Sequence, residues 1–335
     1  MSNMQAVVLN AQRQFVDQER PTPVLRPVDI LVSIQAIAVN PIDLKRVERI
    51  GPTDSPVFGY DALGTITALG PQASRFKVGD RVFYAGSTQR DGAYAEQQAV
   101  DERLVALAPK NVSAADAVAM PLTWLTAAEI LQDKLGLSLE RPLDHPLSLL
   151  IINGAGGAGS ILTQLAHQLG VTVLATSSPR HFEWLRQHGV DIPLDYHQPL
   201  VPQVRATKLT IDASVNLFDT GRYFDDLVTL VRPFGHLVNV TRTSLPVDVQ
   251  KLQAKSQSFD WELMFTKSAL TYQLQEQGVA LEQLQRWLDD GRLKSTRTQT
   301  IQGPLNAATI LQAHQQLAQH QTVGKLVIER TDSIK

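Results

Sequence analysis

Two patterns of apolar and polar residues divide the chain. The first is short and strand-like: from Ile30 to Ala38 every second residue is apolar, and Ser33 and Gln35 lie between them. This alternation predicts a β-strand. Similar segments predict further short strands at 5–9, 65–69, 94–100 and 104–108, and a tight turn at Gly79-Asp80. Short strands separated by turns are typical of a small barrel or sandwich.

The second pattern begins near residue 147, where strand-like and helix-like segments alternate. Strand-like runs occur at 149–152, 171–176, 209–214 and 236–241, and helical spacing occurs at 180–188 and 224–231. This alternation predicts a parallel, doubly wound sheet, because right-handed crossovers place helices on both faces. We expect the last strand of this sheet at Ser268–Gln273. A final helix near 310–317 and a strand at 326–328 are expected to return to the first domain.

A glycine-rich turn follows the apolar run Leu149–Ile152. The spacing Gly-x-Gly-x-x-Gly opens a segment in which Ile161, Leu165 and Leu169 recur at helical intervals. Strand, glycine turn and helix together predict a site for the pyrophosphate of a dinucleotide, held at the helix N-terminus. The alternative is a glycine-rich turn that binds nothing. The predicted cofactor contacts in this turn are Gly154, Gly156, Gly157, Ala158 and Gly159.

Composition narrows the possible functions. A chain of 335 residues is long enough for about two domains. The formal net charge of −2 gives no basic field for nucleic acid or an anionic membrane, so a small neutral or anionic ligand is expected. The sequence has no cysteine, which excludes disulfides, thiolate zinc sites and cysteine nucleophiles. No signal peptide or membrane span is predicted, and we expect a soluble cytoplasmic protein.

The second strand of the predicted sheet bears on cofactor choice. NAD recognition uses an acidic residue at the end of this strand, about 20 residues past the glycines. Here Ser177 and Arg180 lie at the predicted end of the strand, and no Asp or Glu occurs between Leu147 and Phe182. Hydroxyl and guanidinium groups suit the 2′-phosphate of NADPH. The alternative is that Arg180 is a solvated residue of the first helical turn.

Several motifs together resemble the medium-chain dehydrogenase/reductase superfamily, in its quinone oxidoreductase branch. These motifs are Val39-Asn40-Pro41-x-Asp43, Gly59-Tyr60-Asp61-x-x-Gly64, Phe76–Val82, Leu125-Thr126-Ala127, the glycine turn and Gly324–Val327. Residues Trp261–Thr266 are similar to the subgroup labelled zinc-type alcohol dehydrogenase-like. The resemblance implies an α/β protein with a mostly β, chaperonin-10-like (GroES-like) catalytic domain at 1–122 and 275–335. A Rossmann nucleotide-binding domain would span 123–274.

The resemblance also bears on zinc. In zinc-dependent members of the family, a cysteine stands at the position of Asn40, a histidine at that of Tyr60, and a second cysteine near Leu122. None of these ligands is present, and the eight histidines form no clustered pair. We therefore expect a metal-free protein. The isolated His314, on the apolar side of a helix, is expected to be a partly buried residue with a satisfied ring rather than a ligand.

The family match also assigns roles to individual residues. Asn40 and Tyr60 would stand beside the nicotinamide and stabilise oxyanion charge, although a turn residue and a packed aromatic are the alternatives. Further cofactor contacts implied by the resemblance are Thr126, Tyr196, Ser214, Val215, Asn239 and Lys325. Three aromatic residues could line the substrate pocket or belong to the core: Trp124, Trp261 and Phe265.

These implications together suggest a function. We expect an NADPH-dependent, zinc-independent oxidoreductase that transfers hydride to a small quinone or activated enone. An alcohol dehydrogenase and a non-catalytic NADPH-binding protein are the alternatives. The edge strand expected at Ser268–Gln273, together with the resemblance, suggests a homodimer.

Overall fold

The computed structural model describes residues 3–48, 55–243, 245–319 and 322–331. The chain divides into two compact units. One unit contains the residues up to Leu122 and those from Phe265 onward, and the other is Thr123–Met264. Residues 265–274, expected in the nucleotide-binding domain, therefore lie in the first unit. One physical reason is that the Phe265 ring packs edge-on against Tyr60, with ring centroids 4.8 Å apart.

The described residues form the following strands and α-helices. The strands are β1 (Asn3–Leu9), β2 (Phe15–Pro21), β3 (Asp29–Ala38), β4 (Asp61–Leu69), β5 (Arg81–Tyr84), β6 (Gln97–Asp101), β7 (Val105–Leu107), β8 (Ser148–Ile152), β9 (Thr172–Ser177), β10 (Ile192–Asp195), β11 (Ile211–Asn216), β12 (Val231–Asn239), β13 (Ser258–Trp261), β14 (Arg297–Gly303) and β15 (Lys325–Arg330). The α-helices are α1 (Pro41–Val47), α2 (Ala114–Val118), α3 (Pro121–Glu129), α4 (Gly157–Gln168), α5 (Phe182–Gln187), α6 (Leu200–Ala206), α7 (Thr220–Leu230), α8 (Thr266–Ala269), α9 (Leu274–Asp289) and α10 (Ala307–Ala318).

The first unit is built on a mostly antiparallel sheet. Its strand order is β14-β15-β3-β4-β5-β7, and β6 pairs with β3 beside this path. Strand β1 pairs with β2 in a separate antiparallel hairpin. Near the end of the chain, β15 pairs with β3, so that Val327 lies opposite Ala38. Segments from both ends of the sequence therefore form one sheet.

The second unit contains a parallel sheet with the order β10-β9-β8-β11-β12-β13. Adjacent strands all pair in parallel. This is the order of a Rossmann sheet, with the first strand, β8, beside the point where the order reverses. Apolar residues of the strands and crossover helices form one of its cores, including Leu150, Leu174, Val204 and Phe224. The predicted fold class, a doubly wound sheet with a GroES-like β domain, is confirmed.

The prediction of a strand at Ser268–Gln273 is wrong. Residues Thr266–Ala269 form a single helical turn, and Gln273 has a φ of 48° just before α9 begins. The edge strand is β13, which pairs with β12. Its sequence, Ser258-Phe259-Asp260-Trp261, has only two apolar residues and gives little strand signal. The strand expected to form the homodimer contact therefore does not exist at Ser268–Gln273. The homodimer itself stays a prediction.

One helical stretch is long and apolar enough to meet a membrane-span criterion. It runs from Ala114 to Lys134 and has a mean hydropathy of 1.2 over its best window. Of that window, 78% is buried inside the protein. Such burial is typical of a core helix.

Candidate cofactor and catalytic sites

The glycine turn connects β8 to α4 in the second unit. Asn153 begins it in the left-handed region, with a φ of 67°. A Cβ at Gly159 would lie 2.5 Å from the Asn153 carbonyl oxygen, and one at Gly154 would lie 2.6 Å from the Ala175 Cβ. Neither position accepts a side chain without displacing its neighbours. The close packing of turn, helix and strand therefore requires glycine at both positions.

The N-terminus of α4 points its unpaired amides out of this turn. Gly156 is the N-cap, and no side chain caps the helix. Gly157 and Ala158 form the first turn and are partly exposed. Because the first N–H groups of a helix lack intrahelical partners and carry its positive dipole, this end suits an anion. The turn therefore fits the pyrophosphate of a dinucleotide.

Next to this turn, the end of β9 carries hydroxyl and basic groups. The Ser177 hydroxyl is buried and lies 3.4 Å from His181 Nδ1. Arg180 is exposed and makes no ion pair with the described residues. Burial, assisted by the Arg180 charge, lowers the pKa of His181. An anionic ligand at this strand end would meet cationic and hydroxyl groups.

A cavity of about 140 Å³ opens near the same strand ends. It is lined by Thr176, Tyr196, Gln198, Pro199, Leu200, Arg222, Tyr223 and Asp226. Tyr196 is 44% exposed. Arg222, on α7, lies over the rings of Phe218 and Tyr223 at 6.0 and 5.6 Å. Sequence analysis missed Arg222, because its place beside Tyr196 follows only from the folded sheet.

The other predicted cofactor residues of the second unit lie on strands or in a helix. Ser214 and Val215 are fully buried in β11, and the Ser214 hydroxyl has no hydrogen-bond partner among the described residues. Asn239 ends β12, and its amide donates to the Leu237 carbonyl at 3.0 Å. Thr126 is buried in α3. In doubly wound folds, ligands bind outside the carboxyl ends of the strands, which is where Asn239 lies.

In the first unit, Asn40 belongs to a buried group that we call the lysine–aspartate cluster: Asn40, Asp61 and Lys325. The Asn40 amide donates to Asp61 Oδ2 at 2.9 Å. The Lys325 ammonium donates to the same Asp61 oxygen at 2.9 Å and to Asn40 Oδ1. Asp61 Oδ1 accepts the backbone N–H of Leu122 at 2.7 Å. The hydrogen bonds of Asn40 are thus directed within the cluster.

This cluster bears on the zinc question. The resemblance assigns Asn40 to the position of a zinc ligand, and its side-chain oxygen faces a lysine ammonium. A zinc ion would meet a positive charge instead of imidazole or thiolate. Within the described ranges, no group of three or more histidine, aspartate or glutamate side chains is placed to hold a metal. The residues therefore do not fit a zinc centre.

Tyr60 is the second predicted catalytic residue and is 2% exposed. Its hydroxyl accepts a hydrogen bond from Arg46 Nη1 at 2.5 Å. The same guanidinium nitrogen donates to the Thr88 carbonyl at 2.7 Å. Burial raises the pKa of Tyr60, so its hydroxyl keeps its hydrogen and can donate it in a hydrogen bond. Because Arg46 donates to the phenol oxygen, the phenol hydrogen remains available to another acceptor. Arg46 was not predicted from the sequence.

Three aromatic residues predicted for the substrate pocket have different surroundings. Trp124 is fully buried, as expected of a core residue. Trp261 is 48% exposed at the end of β13 and packs edge-on against Phe259 at 5.3 Å. Phe265 is buried in the first unit. Of the three, Trp261 alone presents a substantial ring surface to a ligand.

A second buried polar chain lies next to the lysine–aspartate cluster. Asp43 accepts the Asn40 backbone N–H at 2.7 Å, and the Tyr94 hydroxyl lies 2.9 Å from His314 Nε2. Burial raises the pKa of Asp43 to about 7, although the Asn40 hydrogen bond and the Lys325 charge oppose it. Burial also lowers the pKa of His314 to about 4. As predicted, His314 is a buried and satisfied histidine.

Two family models match separate parts of the chain. Residues 26–110 match the alcohol dehydrogenase GroES-like domain, and residues 179–328 match the zinc-binding dehydrogenase model. The chain is 39% identical over 315 residues to a zinc-type alcohol dehydrogenase-like protein of Staphylococcus aureus strain COL, covering 93% of both. It is 30% identical to 2-methylene-furan-3-one reductase of Solanum lycopersicum, covering 91% of this chain and 73% of that protein.

Another relative is the chloroplastic NADPH-dependent alkenal/one oxidoreductase of Arabidopsis thaliana. It is 28% identical, and the match covers 91% of this chain and 73% of that protein. Solved structures of similar fold include proteins named as dehydrogenases or oxidoreductases. A putative zinc-dependent alcohol dehydrogenase from Rhizobium etli matches with a TM-score of 0.93 at 36% identity, covering 99% of this chain and 100% of that one.

Two mycobacterial structures are also similar. A quinone oxidoreductase matches with a TM-score of 0.80 at 28% identity. A protein complexed with NADPH matches with a TM-score of 0.82 at 27% identity. Each match covers 97% of this chain and 99% of the other. With the sheet order, the glycine turn and the buried motifs, these comparisons show an oxidoreductase fold that binds a nicotinamide cofactor. The chain belongs to the medium-chain dehydrogenase/reductase superfamily, in its quinone oxidoreductase branch.

Proposed function

We propose that this protein is an NADPH-dependent reductase of quinones or activated enones that works without a metal. The observation that carries the proposal is the lysine–aspartate cluster, in which an ammonium group faces Asn40 at the family's metal position. Without a Lewis acid, alcohol oxidation has nothing to stabilise alkoxide character. A conjugated carbonyl needs less help, because it takes hydride into a delocalised system.

The second unit supplies the groups that would hold NADPH. The glycine turn and the α4 N-terminus suit its pyrophosphate, and Arg180 with Ser177 suits its 2′-phosphate. Tyr196 lines the cavity near these strand ends. The unpartnered hydroxyl of Ser214 is a further polar group at the C-terminal half of β11. NADPH supplies a hydride to the acceptor when it is bound.

On the acceptor side, Tyr60 provides a hydrogen-bond donor for developing oxyanion charge. Arg46 donates to the phenol oxygen and leaves the phenol hydrogen for that charge. Because burial raises the pKa of Tyr60, we expect this hydrogen to stabilise the charge without being transferred. Asn40 has its amide directed to Asp61, so its expected contribution is to fix the cluster.

The comparisons support this reaction class. The tomato and Arabidopsis relatives are named as reductases of conjugated carbonyl compounds, and the second name specifies NADPH. One mycobacterial neighbour is a quinone oxidoreductase, and another was solved with NADPH. These names favour the reductase over an alcohol dehydrogenase or a protein that only binds the cofactor.

Cofactor preference gives a direct test of the proposal. Charged hydrogen bonds to a 2′-phosphate contribute about 1.5–3 kcal/mol each, so Arg180→Ala should weaken NADPH binding about ten- to a hundredfold. NADH binding should change little, because NADH lacks this phosphate. Fluorescence titration with both cofactors measures the two affinities. Equal losses for both cofactors would contradict a role in phosphate recognition.

Acceptor specificity completes this test. Wild-type protein with NADPH should reduce 1,4-quinones and short enones, and should reduce NADP⁺ negligibly with simple alcohols. Arg186→Ala serves as the control for Arg180→Ala, since it removes an exposed guanidinium that does not line the cavity and should leave both cofactor affinities unchanged. Efficient alcohol oxidation, or tight NADPH binding without turnover on any acceptor, would contradict the proposed reaction.

A further inference from the structure

Glu262 is a buried acid that the reaction above does not use. It follows directly after β13 and is 3% exposed. Its backbone N–H donates to the Asn239 carbonyl at 2.9 Å, which fixes it at the carboxyl ends of β12 and β13. An acidic side chain is rarely buried so fully unless it is paired or protonated. Its surroundings therefore decide its state.

A second carboxylate lies beside it. The Glu129 side chain is within hydrogen-bonding reach of the Glu262 carboxyl, and we call Glu129 and Glu262 the carboxyl pair. Glu262 Oε1 is buried and has no hydrogen-bond partner among the described residues. Two carboxyl groups can hydrogen-bond to each other only if one carries a proton. The pair is thus built to retain one.

The charges beside Glu262 do not replace that proton. Lys134 Nζ lies 3.8 Å from Glu262 Oε2, beyond a normal hydrogen bond, and Asp133 adds another negative charge. Both residues lie in the π-helical turn Ile130–Lys134 that continues α3. Such turns occur frequently at functional sites. Burial and Glu129 raise the pKa of Glu262 to about 9, with the Lys134 charge opposing them.

The carboxyl pair lies on the same elements as the predicted nicotinamide-end residues. Glu129 is three residues after Thr126, so the two side chains share a face of α3. Glu262 directly follows Trp261 and bonds the backbone of Asn239. The elements α3, β12 and β13 carry predicted cofactor or substrate residues, and the same elements position the carboxyl pair.

We propose that the carboxyl pair is the proton donor for enone reduction, with Glu262 delivering its proton to the carbon next to the carbonyl. This inference rests on the proposed function. Hydride, with its electron pair, bonds to the β-carbon, and the C=C π pair shifts toward the carbonyl to form an enolate. The α-carbon then bonds the Glu262 proton, the Glu262 O–H bond breaks, and water later restores the proton.

Enones and quinones distinguish this role. An enolate must be protonated at carbon, where a positioned acid contributes about a hundredfold or more to the rate. A reduced quinone takes its protons on oxygen, where water exchanges rapidly. Glu262→Gln should therefore lower enone turnover about a hundredfold and leave quinone turnover within about twofold. The exposed acid Glu183 gives the control, and Glu183→Gln should change neither rate.

Product stereochemistry gives a readout that a structural role would not change. With an α-methyl enone in D₂O, wild-type protein should place deuterium on one face of the α-carbon. Glu262→Gln should give a mixture of both faces. An unchanged single stereoisomer, or parallel losses on enones and quinones, would overturn the proposal.

Infrared spectroscopy tests the carboxyl pair independently of turnover. At pH 8, where Asp43 is largely ionised and Glu262 keeps its proton, the cofactor-free protein should show a protonated carboxyl band that is absent from Glu262→Gln and weaker or shifted in Glu129→Gln. Absence of this difference in folded variants, checked by circular dichroism, would overturn the shared proton. If the band behaves as expected but no acceptor is reduced, the proposed function has failed and the carboxyl pair has not.

Discussion

The lysine–aspartate cluster and the carboxyl pair are both buried groups of charges, but their charges balance differently. In the first, the single carboxylate of Asp61 receives hydrogen bonds from Lys325, Asn40 and the Leu122 backbone. In the second, Glu262 lies beside the carboxyl group of Glu129, and the Lys134 ammonium is 3.8 Å from Glu262 Oε2. A buried carboxylate with a full set of donors is held in place by them, whereas Glu262, which lacks them, keeps a proton. The ratio of acids to donors therefore separates a positioning group from a proton-holding group.

Removal of the Lys325 charge should have the largest effect on stability. Lys325→Met leaves Asp61 buried without its cation, and losing one partner of a buried ion pair costs about 3–5 kcal/mol. Urea denaturation at pH 7 measures the free energy of unfolding. The control is Lys251→Met, which breaks an exposed pair with Asp225 and should cost less than about 1 kcal/mol.

The double variant Lys325→Met/Asp61→Asn sharpens this result, because it removes both charges. It should recover part of the lost stability. If Lys325→Met alone stays within about 1 kcal/mol of wild type, the cluster is not an essential buried pair.

A smaller effect is expected from the carboxyl pair, as a loss of stability at alkaline pH. The pKa of Glu262 is about 9 in the folded protein, against 4.5 as its ordinary value. The folded state therefore keeps a proton that the unfolded chain has released, and stability falls as pH rises through this window. Between pH 7 and 9 the fall should be about 2 kcal/mol, since one proton corresponds to about 1.4 kcal/mol per pH unit.

Glu262→Gln should remove most of this slope, because glutamine does not titrate. Denaturation midpoints at several pH values compare the variant with wild type. An identical slope in both proteins would show that Glu262 is ionised throughout and that the contrast with the lysine–aspartate cluster does not hold.

The smallest effect is expected beside the lysine–aspartate cluster, where two groups oppose each other. The pKa of Asp43 is raised to about 7, so its contribution to stability falls as pH rises between 3.8 and 7. The pKa of His314 is lowered to about 4, so its contribution rises with pH between 4 and 6.5. Within the shared window the two slopes nearly cancel in the wild-type protein.

His314→Gln should expose the Asp43 slope while keeping a side chain that can bond Tyr94. Stability of this variant should fall by about 1 kcal/mol from pH 5 to pH 6, relative to wild type. Asp43→Asn should give a change of similar size and opposite sign. Thermal melting at the two pH values measures both, and changes of the same sign would contradict the assignment.

Local sequence signals predicted the glycine turn and the doubly wound sheet, because both depend on neighbouring residues. Gly159 is required by contacts with a turn only a few residues away. Strands such as β13 and β14 were missed, because β13 has only four residues and β14 is almost entirely polar. The strand predicted at Ser268–Gln273 is absent, because the apolar residues there belong to the helical turn Thr266–Ala269 or follow it directly.

Long-range charge pairing could not be predicted in the same way. Lys325 was predicted as a cofactor residue from its motif, yet it bonds Asp61, 264 residues away. Arg46 and Arg222 gave no distinguishing pattern, and their positions beside Tyr60 and near Tyr196 appear only after folding. Glu262 lay within a recognised motif, but its carboxyl partner is supplied by a distant helix. Sequence patterns indicate chemistry well when the partners are neighbours in the chain.

The pairing of β15 with β3 has a consequence for synthesis on the ribosome. Residues Thr123–Met264 form a continuous unit, so this unit can fold as soon as it has emerged. The first unit must wait, because β15 and the Lys325 ammonium arrive 285 residues after Asn40. Until then, the nascent chain carries an Asp61 without its cation, and β3 lacks its neighbour along Ala36–Ala38. This interval is when a chaperone would have an open strand edge to bind.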